Sequence, residues 1–302
     1  TRSIWVTGVQ TCALPISLLK QHQVLSVEPK PFVKWAGGKR QLIQTISKHL
    51  PPDFGTYYEP FLGGGAVLFH LLSENPETRC KVSDLNSDLV LAYVTIRDRV
   101  DELISSLQNH AKNYHKNPDS YYYGVRQSEP KSQIEKVSRL LFLNRTCFNG
   151  LYRVNSKGKF NVPLGRYANP NIVNEENLFA VSYTLRSKKI SISCRDFSAV
   201  LSDAKKNDLV YFDPPYQPVS KTANFTSYTN KDFTYQDLQK LVTVSEKLAD
   251  KGCNVLHSNS NSKEVRALFS KDWKVIEIAA NRAINSDSTK RTGQTELLIK
   301  NY

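Results

Sequence analysis

The stretch that decides the fold is residues 56–72, TYYEPFLGGGAVLFHLL. An aromatic run, Thr56 to Tyr58, leads through Glu59-Pro60-Phe61-Leu62 into Gly63-Gly64-Gly65, and an apolar helical run follows. Strand, glycine-rich turn and helix in that order open an α/β nucleotide-binding unit. Glycine suits such a turn because, without a Cβ, its backbone can approach a ligand closely. A dinucleotide fingerprint requires G-x-G-x-x-G/A; here Gly63 and Gly65 are followed by Leu68 at the completing position, so the loop departs from it.

The neighbouring segments extend the unit. KVSDLN (81–86) predicts the next strand, with Asp84 at its tip, nineteen residues after Gly65. A carboxylate placed there can accept hydrogen bonds from ribose hydroxyls. Upstream, PFVKWAGGKR (31–40) reads as a loop, and QLIQTISKHL (41–50) has helical spacing until Pro51-Pro52 stops it. Downstream, KISISC (189–194) predicts a strand leading into Arg195-Asp196-Phe197. DLVYFDPPY (208–216) predicts a buried strand ended by two prolines. TYQDLQKLVTVSEKLADKG (234–252) predicts an amphipathic helix stopped at Gly252, and CNVLHSNS, WKVIEI and TELLIKNY predict further strands.

Between about 97 and 190 the pattern changes. RDRVDELISSLQNH and SQIEKVSRLLFLNR are helical, and FNGLYRVNSKGKFNVPLGRY (148–167) predicts a hairpin turning at Ser156-Lys157-Gly158. Residues 131–170 hold eight Lys or Arg against one Glu, a surplus of seven within a net charge of +13. A basic, aromatic-interleaved patch of this kind suits a nucleic-acid contact. The expected organisation is an α/β domain of 26–96 and 187–302, split by an inserted helical and β-hairpin module of 97–186. Residues 1–25 lack an apolar h-region and a small-x-small cleavage site; they are set aside as a non-native or disordered leader.

Composition narrows the class. The chain has 302 residues, 40% hydrophobic and 23% charged, which fits one large domain or two ordinary ones. No run approaches the roughly 18 apolar residues of a membrane span. The charge surplus favours a polyanionic partner. Five scattered cysteines with no CxxC argue against a disulfide framework or a structural zinc and for a reducing, cytoplasmic setting; no metal is expected. Cys147 and Cys194 read as small buried hydrophobes, and His257 as structural.

Chemistry enters with Asp213-Pro214-Pro215-Tyr216. The exocyclic amine of adenine is a poor nucleophile, because its lone pair is delocalised into the ring. An enzyme that methylates it must accept its hydrogens. Asp213 offers a carboxylate and Pro214 a carbonyl on a turn that proline stiffens, and Tyr216 can stack on a base taken out of the duplex. Glu59, Phe61, Gly63 and Gly65 belong to a loop fit to pass beneath the methionine part of S-adenosylmethionine. In Lys34-Trp35-Ala36-Gly37-Gly38-Lys39, Lys39 can meet the cofactor carboxylate and Trp35 can pack on its aliphatic part.

With PFVKWAGGK, EPFLGGGAV, SDLNSDL, LFLNRTCFNGLYRVNSKGKFNVPLGRY, VYFDPPY, TANFTSY and TELLIKNY in this order, the chain from about Pro31 to Tyr302 resembles a Dam-type DNA adenine-N6 methyltransferase of the alpha arrangement. The resemblance implies a Rossmann-like methyltransferase sheet with an inserted DNA-recognition domain. It implies S-adenosylmethionine as cofactor and double-stranded DNA as partner, in a bacterial or phage-infected cell. It names no obligate protein partner, and a restriction endonuclease is the system partner to consider. Trp35, Lys39, Asp84 and Asp213 match cofactor-binding positions, with Asp196 and Phe197 lining the cofactor's adenine pocket. Asp213 and Tyr216 match the catalytic pair.

The resemblance also implies a target, GATC. Lys34 matches a reader of the first base pair, and Leu151, Arg153 and Pro163 fall where the family's hairpin reads the major groove. The Arg153 fork suits guanine N7 and O6, and Leu151 and Pro163 can press on a thymine methyl. Phe148 stands where the family places a ring in the gap left by the flipped adenine, with Asn149 beside it among the DNA contacts. Asn155, Arg166 and Asn224 are candidate phosphate contacts. Two alternatives compete: an RNA adenine methyltransferase, disfavoured because A-form RNA hides its major groove, and a DNA-binding relative without catalysis, disfavoured by the intact DPPY.

Overall fold

The computed structural model describes residues 27–35, 37–155, 157–187, 189–216, 233–280 and 294–302. Seven strands form one sheet: β1 (Thr56–Glu59), β2 (Arg79–Asp84), β3 (Ile190–Cys194), β4 (Leu209–Phe212), β5 (Asn254–Ser260), β6 (Lys274–Ala280) and β7 (Gln294–Lys300). Their order across the sheet is β3-β2-β1-β4-β5-β7-β6. The first five are parallel, and β7 runs antiparallel between β5 and β6. The chain moves outward from β1 to β3, then returns to start β4 on the other side of β1. That reversal makes a crevice at the carboxyl ends of β1 and β4, the place where open α/β sheets bind ligands. The expected strands are all present, and the α/β, Rossmann-like reading holds.

Alternation along the strands supplies two cores. Tyr57 and Tyr211 belong to one buried cluster, while their chain neighbours Tyr58 and Phe212 belong to the other. Successive side chains of a strand point to opposite faces, so a sheet covered on both sides needs continuous apolar strands rather than alternating ones. LVYF of β4 is buried at all four positions. Helix α1 (Ala66–Glu74) covers the first face and α6 (Tyr235–Asp250) the second.

The insert is helical: α2 (Ser87–Lys116), α3 (Pro118–Gln127), α4 (Gln133–Thr146) and α5 (Glu175–Leu185). SDLN explains where α2 begins. Asp84 accepts from the Asn86 amide, and Asn86 then caps the helix by accepting from Leu89 N at 3.1 Å. Helix α2 runs through position 97, with non-helical dihedrals at Arg99. Its buried residues share one cluster with α4, α5 and the sheet. Helices α3 and α5 are additions to the sequence reading; the first is a polar, tyrosine-rich segment whose register shows only when Tyr122 packs. The expected hairpin has the predicted turn region, with Val154 bridged to Phe160, and a second bridge joins Cys147 to Leu164.

One burial expectation fails. Cys147 is buried, but Cys194 is exposed, because it ends β3, an edge strand of the sheet. His257 is fully buried and stacks on Phe212 at 5.0 Å. Ser245 Oγ donates to Leu241 O, so the 2.9 Å contact to His257 Nε2 makes that nitrogen the donor and leaves Nδ1 as a bare acceptor. The expected leader lies outside the described residues. Among the described residues, no helix is long and apolar enough to cross a membrane, and no group of three His, Cys, Asp or Glu side chains could hold a metal ion.

Candidate functional site

Three segments far apart in sequence meet over the crevice. Lys39 Nζ lies 2.7 Å from Asp213 Oδ1 and donates to Gly37 O at 2.8 Å. The same ammonium sits 4.7 Å from the centroid of the Tyr216 ring. Tyr216 donates to Glu296 Oε2 at 2.6 Å. Lys39 is only 4% exposed, so its charge needs the Asp213 partner. Burial pushes the Asp213 carboxyl up to about 6, Lys39 pulls it back, and Glu296 adds to the rise. Glu59 is buried at the end of β1, where Tyr57 donates to it at 3.0 Å; burial raises its pKa well above the ordinary range.

The glycine turn is held from two sides. Gly63 N donates to Asp84 Oδ2 at 2.9 Å, and Tyr93 donates to Gly63 O at 2.9 Å. Gly63 and Gly65 both have positive φ, +49° and +71°. A Cβ on Gly63 would lie 3.0 Å from Trp35 Cδ1, so the missing side chain is what lets the indole lie on the turn. On the other side of β1, the Phe61 and Phe197 rings stack at 5.3 Å, and Lys240 pairs with Asp196 at 3.0 Å. Asp196 also accepts from Ser198 N, which starts the short turn carrying Phe197.

The basic module joins this site through its own residues. Asn144 Oδ1 accepts from Lys34 N at 2.8 Å, while its Nδ2 donates to Lys34 O and to Gly150 O. Trp35 lies against Tyr152 at 5.4 Å, and Lys34 Nζ reaches the Tyr167 hydroxyl at 3.3 Å. Arg153 Nε donates to Asn161 Oδ1 at 2.8 Å, so the two hairpin arms aim the guanidinium. Phe148 is 49% exposed and Asn149 beside it has φ +54°. Pro163 and Arg166 are exposed and Leu151 is half-buried. The Asn155 side-chain Oδ1 accepts from the amides of Lys157 and Lys159, closing the hairpin tip. Asn224 lies outside the described residues.

Two residues were missed in sequence. Asn144 follows the apolar run Leu140–Leu143 and is itself followed by Arg145 and Thr146, so nothing in the sequence marks its burial at 1% exposure. Glu296 is an acid in a strand otherwise reading as core, TELLIK.

The fold thus defines a protein of the Rossmann-like α/β class, with its crevice at the β1–β4 switch. Residues 35–284 match the D12 class N6 adenine-specific DNA methyltransferase family. The chain is 41% identical to the type II methyltransferase M.MjaIII of Methanocaldococcus jannaschii, over 91% of this chain and all of that protein. It is 39% identical to the type II methyltransferase M1.LlaDCHI of Lactococcus lactis subsp. cremoris, over 95% and 99% of the two chains. It is 32% identical to the DNA adenine methylase of Escherichia coli K12, over 89% and 94%. The chain belongs to the D12 class of N6 adenine-specific DNA methyltransferases, and S-adenosylmethionine is the methyl donor of this family.

Proposed function

We propose that this adenine methyltransferase acts on an adenine turned out of duplex DNA, within a GATC site. The observation that carries the reading is the convergence of Lys39 with Asp213 and Tyr216, from two motifs far apart in sequence, at one crevice. The residues present fit the cofactor. The glycine turn follows β1 at the crevice, and Asp84 uses one oxygen on Gly63 N and one on Asn86 N, which leaves lone pairs for ribose hydroxyls. Trp35, Lys39, Glu59, Phe61, Gly63, Gly65, Asp84, Asp196, Phe197 and Asp213 would hold it. When bound, S-adenosylmethionine supplies an electrophilic methyl group.

The chain's own residues then prepare the amine. Asp213 and the Pro214 carbonyl accept its hydrogens, which returns lone-pair density to nitrogen. Asp213 keeps free acceptor positions beside the Lys39 contact, and Lys39 favours its ionised form. Tyr216 offers a ring face to the extruded base. No covalent bond to the protein is needed.

Recognition falls to Lys34, Leu151, Arg153 and Pro163 at base edges, Phe148 and Asn149 at the vacated stack, and Asn155, Arg166 and Asn224 along phosphates. GATC rests on the hairpin's likeness to that of Dam-type enzymes. The 97–186 module is the recognition domain in this reading, and 26–96 with 187–302 the catalytic one. The type II names of two relatives support a restriction endonuclease as system partner.

Methyl transfer from labelled S-adenosylmethionine to two duplexes, one GATC and one GTTC/GAAC, tests the reading. Label on the first alone is the expected result. Label on both discards the site, and label on neither, with cofactor still bound, moves the reading to another acceptor or to an inactive relative.

A further inference from the structure

The last strand carries a carboxylate with no assigned role. Glu296 stands on β7 opposite Ser260 of β5 and is 8% exposed. The hydrogen bond from Tyr216 to its Oε2, 2.6 Å long, crosses over the end of β5, since Tyr216 follows β4 and β5 separates β4 from β7. One layer deeper, Tyr211 of β4 and Ser258 of β5 join their hydroxyls at 2.7 Å. The Tyr216 side chain therefore has its hydroxyl taken by Glu296 and the Lys39 ammonium over its ring. A tyrosine ring turns about two torsions, and contacts at the tip and over the ring restrain both. A hydroxyl-to-carboxylate bond is among the stronger kinds because the acceptor is ionised.

We propose that Glu296 is a positioning residue for methyl transfer: through the hydroxyl of Tyr216 it sets the ring in the orientation that receives the target adenine. The inference rests on the function proposed above. It makes the closing strand part of the active site, although Glu296 itself touches neither base nor cofactor. The bond requires a lone pair at the right place more than a full charge, so an amide of the same length can serve. The charge has its own effect, because it adds to the rise of the Asp213 carboxyl.

The test is a double-substitution cycle on the full chain, with labelled S-adenosylmethionine and a GATC duplex, alongside melting temperatures. E296A is expected to lower kcat tenfold or more, with KM for S-adenosylmethionine within twofold of the parent. E296Q should stay within threefold, and its acid limb should move to lower pH. In the Y216F background, E296A should cost no more than twofold, since the hydroxyl is already gone. Should E296A not fold, E296D replaces it, because the shorter side chain withdraws the acceptor and keeps the charge. A parent-like kcat for E296A, or an equal tenfold loss with Y216F, overturns the proposal while the function stands. Absence of transfer by the parent chain to any duplex adenine overturns both.

Discussion

Asn144 holds both backbone polar groups of Lys34: it accepts from the Lys34 amide and donates to the Lys34 carbonyl, each at 2.8 Å. The same amide nitrogen reaches Gly150 O at 2.9 Å. One buried side chain thus joins the loop of Lys34 and Trp35 to the foot of the hairpin. A primary amide suits the task, because it carries one good acceptor and two donors.

Replacing Asn144 with Ala leaves three backbone groups without that partner. Each orphaned buried group costs about 1–3 kcal/mol. Urea unfolding of Asn144→Ala should show a loss of at least about 2 kcal/mol, taking the low end for two of them. A loss below about 0.5 kcal/mol would mean that water replaces the amide and that the clamp is not structural.

Two glycines give opposite expectations. Gly150 has φ +65°, and a Cβ there would lie 2.7 Å from Lys34 Cβ. Gly150→Ala should destabilise by about 1–2 kcal/mol through the left-handed backbone alone and displace Lys34 as well. Gly124 lies inside α3 with nothing within 4 Å of its added Cβ, so Gly124→Ala should stabilise by about 0.5–1 kcal/mol. Equal melting temperatures for the two variants would refute both arguments.

Acid acts on turnover through Asp213 and on stability through Asp213 and two buried histidines. Asp213, raised to about 6, holds its proton more tightly in the folded chain than in the unfolded one. Its contribution to stability is complete below the ordinary carboxylate range and is lost as pH rises through about 6. Its proposed catalytic use has the opposite sign, since accepting amine hydrogens needs the carboxylate. Turnover should fall about tenfold per pH unit below about 6. Lys39→Met removes the opposing cation and should move that limb upward. His257 and His110, lowered by burial to about 3 and about 4, contribute stability above the ordinary histidine range that is lost on acidification. Asp213→Asn separates the effects: no turnover at any pH, with the histidine-driven decline in melting temperature retained. Turnover by Asp213→Asn near the parent level would remove Asp213 from the chemistry.

Arg153 is aimed by Asn161 across the hairpin. Arg153→Ala should relax preference at one base pair by about 1–3 kcal/mol, measured as relative kcat/KM on singly altered GATC duplexes. Asn161→Ala should relax the same position by less. A uniform weakening on every duplex would instead make Arg153 a phosphate contact.

Much of this molecule is written in local sequence. Strand, glycine turn and helix at 56–72, the acid at Asp84, the prolines after Asp213 and the cap at Asn86 are short-range features, because periodicity, φ preferences and capping act over a few residues. They determine an α/β sheet and place the ends of β1, β2 and β4 as ligand-facing. The candidates Glu59, Phe61, Gly63, Gly65, Asp84, Asp213, Pro214 and Tyr216 lie at or just after those ends.

What the tertiary structure alone decided is which long-range partners meet. Lys39 pairs with Asp213, 174 positions away by their numbers, and Tyr216 reaches Glu296 at a separation of 80. Asn144 meets Lys34 over a separation of 110. The exposure of Cys194 follows from the edge place of β3 in the sheet order, not from its neighbours in sequence. The physical reason is common to the three pairings. A buried charge or amide takes its identity from the group that satisfies it, and that group is chosen by strand order and packing, which no local pattern encodes.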